Sequence, residues 1–285
     1  MLEIPNTISK ETIEQAADIL ANADALLIMA GAGMGVDSGL PDFRSKEGLW
    51  KAYPPLAKLG LSFSRIADPK LFRTQPYLAW AFYGHRLNLY RDVTPHSGFW
   101  QLLSLAKQKK GGYFVYTSNV DGQFQKAGFD TNKIVECHGS IHHLQCTLSC
   151  QNHLWEADNI HVTVHMQTFK ALEPLPCCPR CGEFARPNIL MFGDWDWNSS
   201  RNRKQHDRYV AWLRKIKDHN FSLAIVEIGA GEALPMVRWH SQHIAEDYNA
   251  TLIRINPREY TVPDGHLSIP LGGAEALNYI FRLLD

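Results

Sequence analysis

The 285-residue chain carries no net charge, because 29 lysines and arginines balance 29 aspartates and glutamates. No global field draws it to nucleic acid or to an anionic bilayer, so neither is an expected partner. Long apolar runs are missing as well: the longest, Ala25 to Val36, is broken by glycines and is too short to cross a membrane. The opening residues MLEIPNTISK hold no basic segment leading into an apolar one, which reads as the absence of a secretory signal. These absences predict a soluble cytoplasmic protein, a monomer or weak oligomer. Internal repeats and low-complexity segments are also absent. Cysteine is missing from residues 1–136 and 182–285; all six (Cys137, Cys146, Cys150, Cys177, Cys178 and Cys181) fall in one central stretch. A disulfide framework suits a small secreted domain, whereas such clustering in an intracellular chain points to a metal.

What is present begins with 45% apolar residues, enough for a substantial core. Ser9 to Ala21 predicts an amphipathic helix. Ser9 can cap it, Glu11 and Glu14 suit its positive end, and Ile13, Ala16, Ala17 and Leu20 share one face. Short continuous apolar runs at 25–30 (ALLIMA), 113–117 (YFVYT), 223–228 (LAIVEI) and 251–255 (TLIRI) suit buried parallel strands. Helical segments near 76–91, 96–109, 203–218, 233–246 and 273–284 alternate with them. The alternation predicts an α/β fold, a doubly wound Rossmann-like parallel sheet. Two regions break the rhythm and read as insertions forming a smaller lobe. The expected division is a discontinuous sheet domain over 1–44, 96–139 and 186–285, a helical insertion over 45–95, and a cysteine module over 140–185.

Three motifs lie at expected strand ends, where open α/β sheets bind ligands. Gly31-Ala32-Gly33 opens a glycine loop whose backbone can approach a phosphate or simply turn tightly; Val36 stands where the ordinary dinucleotide fingerprint has its third glycine. Asp42, Phe43 and Arg44 follow and place a carboxylate, a ring and a phosphate-pairing guanidinium beside it. Thr117-Ser118-Asn119-Val120-Asp121 ends the next strand as a ligand contact or an Asx turn. His138 precedes Gly139 at the end of a third strand, and imidazole titrates near neutral pH.

Cys146/Cys150 and Cys178/Cys181 form a C-x3-C and C-x2-C pair separated by 27 residues, a set that suits a closed tetrahedral zinc site. Cys177 competes with Cys178, which is preferred as the start of CPxCG.

In this order, GAG…SGLPDFR, TSNVD, ECHG, the four cysteines and RPNILMFGD resemble the motifs of the sirtuin family, bacterial-type NAD-dependent protein deacylases, from about Ala25 onward. The resemblance implies NAD bound by Gly31, Ala32, Gly33, Asp42, Phe43, Arg44, Ser118, Asn119, Val120, Asp121, Gly229, Ala230, Asn256 and Ala274. It implies that Asn119 meets the nicotinamide ribose, that Asp121 holds the carboxamide, and that His138 is the general base. The acyl oxygen of a modified lysine would attack C1′, nicotinamide would leave, and His138 would help a ribose hydroxyl attack the imidate. Met191, Phe192 and Gly193 would line a groove for an acyl-lysine protein or peptide, and one structural zinc would be held per chain. Tyr83 and Arg86 match a Y-x-x-R pair found in family members that accept acidic acyl groups; the alternative is a structural arginine. The chain departs from the family at Gly35 and Asp37 in the first motif, at Ser118 where the family has Gln, and at Ala230-Gly231 where it reads Thr-Ser. The changes at Gly35, Ser118, Ala230 and Gly231 keep NAD hydrolysis or ADP-ribosyl transfer as an alternative; a non-enzymatic NAD sensor is a third reading, against which the intact Asn119, Asp121 and His138 argue.

Overall fold

A computed structural model describes residues 8–41 and 46–284. Helix Lys10–Asn22 starts where the side chain of Ser9 accepts the Thr12 amide at 3.1 Å, and it buries Ile13, Ala16, Ala17 and Leu20. Six strands form one parallel sheet: β1 (Ala25–Ala30), β2 (Gly112–Thr117), β3 (Ile134–Glu136), β9 (Leu223–Ile228), β10 (Thr251–Ile255) and β11 (Leu267–Ile269). Their spatial order is β3-β2-β1-β9-β10-β11, so the winding reverses between β1 and β9. That reversal opens a crevice at the carboxyl ends of those two strands.

Alternate residues of β1 face two different cores. Leu26, Ile28 and Ala30 pack with helices Lys10–Asn22, Ser97–Gln108 and Gly273–Phe281; Ala25, Leu27 and Met29 pack with helices Ser200–Asp218 and Met236–Asp247. All six β1 residues are buried, which is why the run reads as continuous rather than alternating.

The segments between the sheet strands build a second lobe with one shared core. Leu49, Leu56, Ile66 and Phe72 from short helices, Tyr53 from the junction between two of them, and Trp80, Phe82 and Leu87 from helix Pro76–Asp92, pack with Ile141, Leu144, Val162 and Phe169. In the same lobe, β4 (Gly139–Cys146), β5 (Leu154–Glu156) and β8 (Ala185–Ile189) form a sheet ordered β5-β4-β8, and β6 (Val164–His165) pairs with β7 (Lys170–Ala171). Residues 186–189 therefore differ from the sequence expectation of a return to the large sheet at 186. Their backbone groups pair antiparallel with β4, and the chain rejoins the parallel sheet only at Leu223.

Two buried ion pairs had no sequence signal. Glu227 and Arg254 are register partners on β9 and β10, and Arg254 Nε donates to Glu227 Oε1 at 2.6 Å. Arg186 donates to both carboxylate oxygens of Asp194 at 2.7 and 2.8 Å, with both side chains out of solvent. Such forked pairing lets a buried charge persist in a low-dielectric interior.

Candidate active site

The crevice is lined from three directions. At its centre, β1 and β9 end in backbone contact: the Gly31 amide donates to the Ile228 carbonyl and the Gly33 amide to the Gly229 carbonyl, both at 3.0 Å. Gly229 has φ of 62°, and a Cβ there would lie 2.4 Å from Gly33 Cα. A side chain at that crossing would push the two loops apart, so the glycine serves the close approach of two backbones.

From this crossing one cavity of about 370 Å³ runs over Gly33, Gly229, Gly231, Asn256 and Gly273. A second of about 220 Å³ runs under Ser118, Asn119, Val120, Asp121 and His138 towards Tyr83, Arg86, Met191 and Phe192. Ala32 and Leu234 line both, so the two share a wall at the glycine crossing.

The loop after β2 is tied to β1. Thr117 Oγ1 donates to the Ala30 carbonyl at 3.0 Å and accepts the Asn119 amide at 3.0 Å, while Asn119 Nδ2 donates to the Gly31 carbonyl at 2.8 Å. Asp121 is buried; Oδ1 accepts the Gln123 amide at 2.9 Å, and its carbonyl accepts from His142 Nε2 at 2.8 Å. Burial raises its pKa to about 6, helped by the nearby Glu136 carboxylate and opposed by the Gln123 amide and Arg86. An acid with that pKa beside a cavity is a functional-site signature.

His138 is half-buried and lines the cavity. Its carbonyl accepts the Leu190 amide at 2.9 Å. Gly139 follows with φ of 79°, and a Cβ there would lie 2.0 Å from the Asn188 carbonyl oxygen. Glycine thus lets the chain turn from β3 into β4 directly behind the imidazole.

The structure places the other expected residues as follows. Met191 is buried and Phe192 half-exposed in the cavity wall; Gly193 turns the chain with φ of 63°. Asp194 Oδ2 accepts the Met191 amide at 3.3 Å, so the Arg186 pair also pins this wall. Asn256 lines the larger cavity, yet its amide is engaged locally: Nδ2 donates to the Ala230 carbonyl at 3.0 Å, and Oδ1 accepts the amides of Arg258 and Glu259. The Ala274 amide donates to Asp37 Oδ2 at 2.8 Å, so Asp37 satisfies an amide in the first turn of helix Gly273–Phe281, where negative charge suits the helix dipole. At Gly35 a Cβ would sit 2.9 Å from Leu40 Cδ1, so leucine already fills the space a side chain would take. Asp42, Phe43 and Arg44 lie outside the described residues.

Sequence reasoning missed Tyr90, which lines the same cavity as Tyr83 and Arg86. Its signal was available: it stands four residues after Arg86 on one helix, the spacing that places two side chains on one face.

The model of the Sir2 family matches residues 31–208. The chain belongs to the Sir2 family. Among its relatives is an NAD-dependent protein deacylase of Thermococcus sibiricus, 33% identical over 184 residues, which covers 64% of this chain and 65% of that protein. Another of the same name, from Pyrococcus abyssi, is 29% identical over 254 residues and 88% of each chain. Among solved structures, a Sir2 homologue in complex with NAD superposes with a TM-score of 0.66 at 22% identity, covering 95% of each chain. That likeness shows that the fold is shared.

The expected four-cysteine zinc site is assembled from three places: Cys146 at the end of β4, Cys150 in the following turn, and Cys178 with Cys181 in the loop before β8. All four Sγ atoms lie within 4.8 Å of one another, with Cys146–Cys181 at 3.6 Å and Cys150–Cys178 at 3.4 Å. Zinc–sulfur bonds of about 2.3 Å imply a tetrahedron edge of about 3.8 Å, so the four thiols fit a zinc ion. Four protein ligands leave that ion no open position for chemistry. Cys177 stands outside the cluster: it is exposed, and its thiol donates to the Leu175 carbonyl.

Among the described residues, no helix is long and apolar enough to cross a membrane.

Proposed function

We propose that this protein removes acyl groups from protein lysines, with NAD as co-substrate and nicotinamide and O-acyl-ADP-ribose as products. The observation that carries the reading is the shared wall of the two cavities: a glycine-lined cleft over the sheet's switch point adjoins a half-apolar pocket holding Asn119, Asp121 and His138. The relatives named as NAD-dependent protein deacylases support it. On this reading the larger cleft takes the ADP-ribose part, with Gly33 and Gly229 allowing backbone approach to the phosphates. Asn119, held by the Gly31 carbonyl, faces the nicotinamide ribose; Asp121 accepts from the carboxamide; His138 takes the proton from the attacking ribose hydroxyl. The acyl chain lies against Met191 and Phe192, with the lysine backbone along the edge that follows β8. Tyr83 and Arg86 extend the acyl pocket towards acidic groups such as succinyl or malonyl.

The test is incubation with NAD and acetyl-, succinyl- or malonyl-lysine peptides, followed by mass spectrometry. Peptide-dependent O-acyl-ADP-ribose is expected. Nicotinamide release that ignores peptide would replace the reading with NAD hydrolysis or ADP-ribosyl transfer, and no turnover of NAD with any acyl group would end it.

Asp121 adds a pH dependence. Ionised, it accepts from a carboxamide in a charge-assisted bond, and its pKa stands near 6. As pH falls through about 6 the carboxyl protonates and the charge that strengthens this bond is lost, so the KM for NAD should rise at acid pH and level off above pH 7. The profile of KM against pH measures this. Asp121→Asn should start from a high KM and show no such step; a step of wild-type size in that variant would assign the titration to another group.

A further inference from the structure

Arg86 is deeply buried in the wall of the acyl cavity, within a stripe of aromatic residues on helix Pro76–Asp92. Its guanidinium carbon lies 5.1 Å from the ring centre of Phe82, 5.5 Å from that of Tyr83 and 5.3 Å from that of Tyr90. Positions four before, three before and four after share its helix face. The rings favour the charge but do not choose its orientation, because a ring attracts a cation broadly over its face. The Tyr90 hydroxyl supplies the direction. Arg86 Nε donates to it at 3.0 Å and Nη2 at 2.7 Å, so one oxygen receives two donors from one edge of the guanidinium plane. Tyr90 is itself buried, and its ring is fixed by the same helix.

We propose that Tyr90 is a positioning residue for acidic acyl groups: it locks the plane of Arg86 so that the guanidinium meets a carboxylate at the end of the acyl chain. The proposal rests on the deacylase reading and on Arg86 as the anion contact. A long arginine side chain loses considerable rotamer freedom when it is fixed. In this chain that ordering is completed before substrate arrives, and preorganisation of this kind improves binding of the charged acyl chain. Replacing the hydroxyl removes the acceptor shared by two guanidinium donors, and the side chain then has to find another orientation inside a confined pocket. A neutral acetyl group is too short and uncharged to read that orientation.

The test compares succinyl-lysine and acetyl-lysine peptides of the same sequence in wild type, Tyr90→Phe, Arg86→Met and the double variant. Tyr90→Phe keeps the ring and removes only one oxygen; its melting curve checks the fold. The ratio of kcat/KM for succinyl over acetyl should fall at least tenfold in Tyr90→Phe, chiefly through the KM for the succinyl peptide. In the Arg86→Met background the same change should leave the ratio within twofold, because the two residues act as one unit. A structural role alone would lower both substrates together and keep the ratio, and that result overturns the proposal. A ratio lost in Arg86→Met but kept in Tyr90→Phe leaves Arg86 as the anion contact and removes Tyr90 from the mechanism. A wild-type protein that deacetylates yet turns over no succinyl peptide overturns Arg86 and Tyr90 together while leaving the deacylase reading intact.

Discussion

Replacing His138 with alanine should lower kcat for lysine deacylation by about 100- to 10,000-fold, the range expected for loss of a positioned general base. NAD should still bind, because the surroundings of the imidazole are held by the backbone. The Cys137 amide donates to the Thr117 carbonyl at 2.9 Å, the Leu190 amide donates to the His138 carbonyl at 2.9 Å, and Gly139 pairs with Ile189. These backbone bonds do not depend on the side chain at 138, so they should persist in the variant; its melting curve checks the fold. The proposed order of steps sharpens the expectation. Nicotinamide leaves before any ribose hydroxyl is activated, so base removal should spare the first stage and block the second. Exchange of labelled nicotinamide into NAD in the presence of acyl peptide should persist in His138→Ala, while release of free lysine peptide nearly stops. A kcat within tenfold of wild type would remove His138 from the role of base. Loss of exchange together with deacylation would move its contribution to NAD binding or to the first stage.

The parallel sheet was legible because its strands are buried on both faces. Such strands read as unbroken apolar runs, and helices at each interval force parallel connections. Strand β11 escaped for the opposite reason: Leu267–Ile269 is short, sits at the sheet edge and is only partly buried, so it has little periodicity. Glu227 and Arg254 sit inside two strands that read correctly only because their other residues are strongly apolar; their pairing across β9 and β10 exists only once the register is set. The placement of Ala185–Ile189 in the small sheet follows likewise from register with β4, which no local pattern encodes.

The lining of the candidate site was legible where one short segment supplies it, as at 118–121 and at His138. It was less legible where neighbours redirect a side chain. Asp37 reads as a departure from the family's first motif, but the structure turns it to the Ala274 amide, 237 residues away. Tyr90 has no motif of its own; it acquires a role from Arg86, through geometry that helix spacing permits and packing enforces.

Cys178→Ser should abolish zinc binding and unfold the small lobe, whereas Cys177→Ser should keep one zinc per chain. The two residues are adjacent, yet the chain turns between them. Cys177 bridges to Phe184 and sends its thiol to the Leu175 carbonyl, while the Cys178 amide donates to the Glu183 carbonyl at 2.7 Å and its sulfur meets Cys150 at 3.4 Å. The turn therefore offers the cluster Cys178 and not its neighbour. In small zinc modules, metal binding contributes about 10–16 kcal/mol of apparent free energy, which is folding free energy when the apo site has no fixed structure. Loss of one of four thiolates forfeits most of that, against about 0.5 kcal/mol or less for an exposed substitution such as Cys177→Ser. Metal content after gel filtration and the melting curve measure both variants. Zinc lost from Cys177→Ser and kept by Cys178→Ser would reverse the ligand assignment, and a chelated protein with an unchanged melting curve would deny the ion a structural role. The effect should reach the catalytic pocket. The cysteines tie β4 to the loop leading into β8, and the same two strands meet at Gly139 and Ile189, directly behind His138 and beside the Leu190–Phe192 wall. On the proposed function, deacylation in Cys178→Ser should therefore fall together with the fold of the lobe.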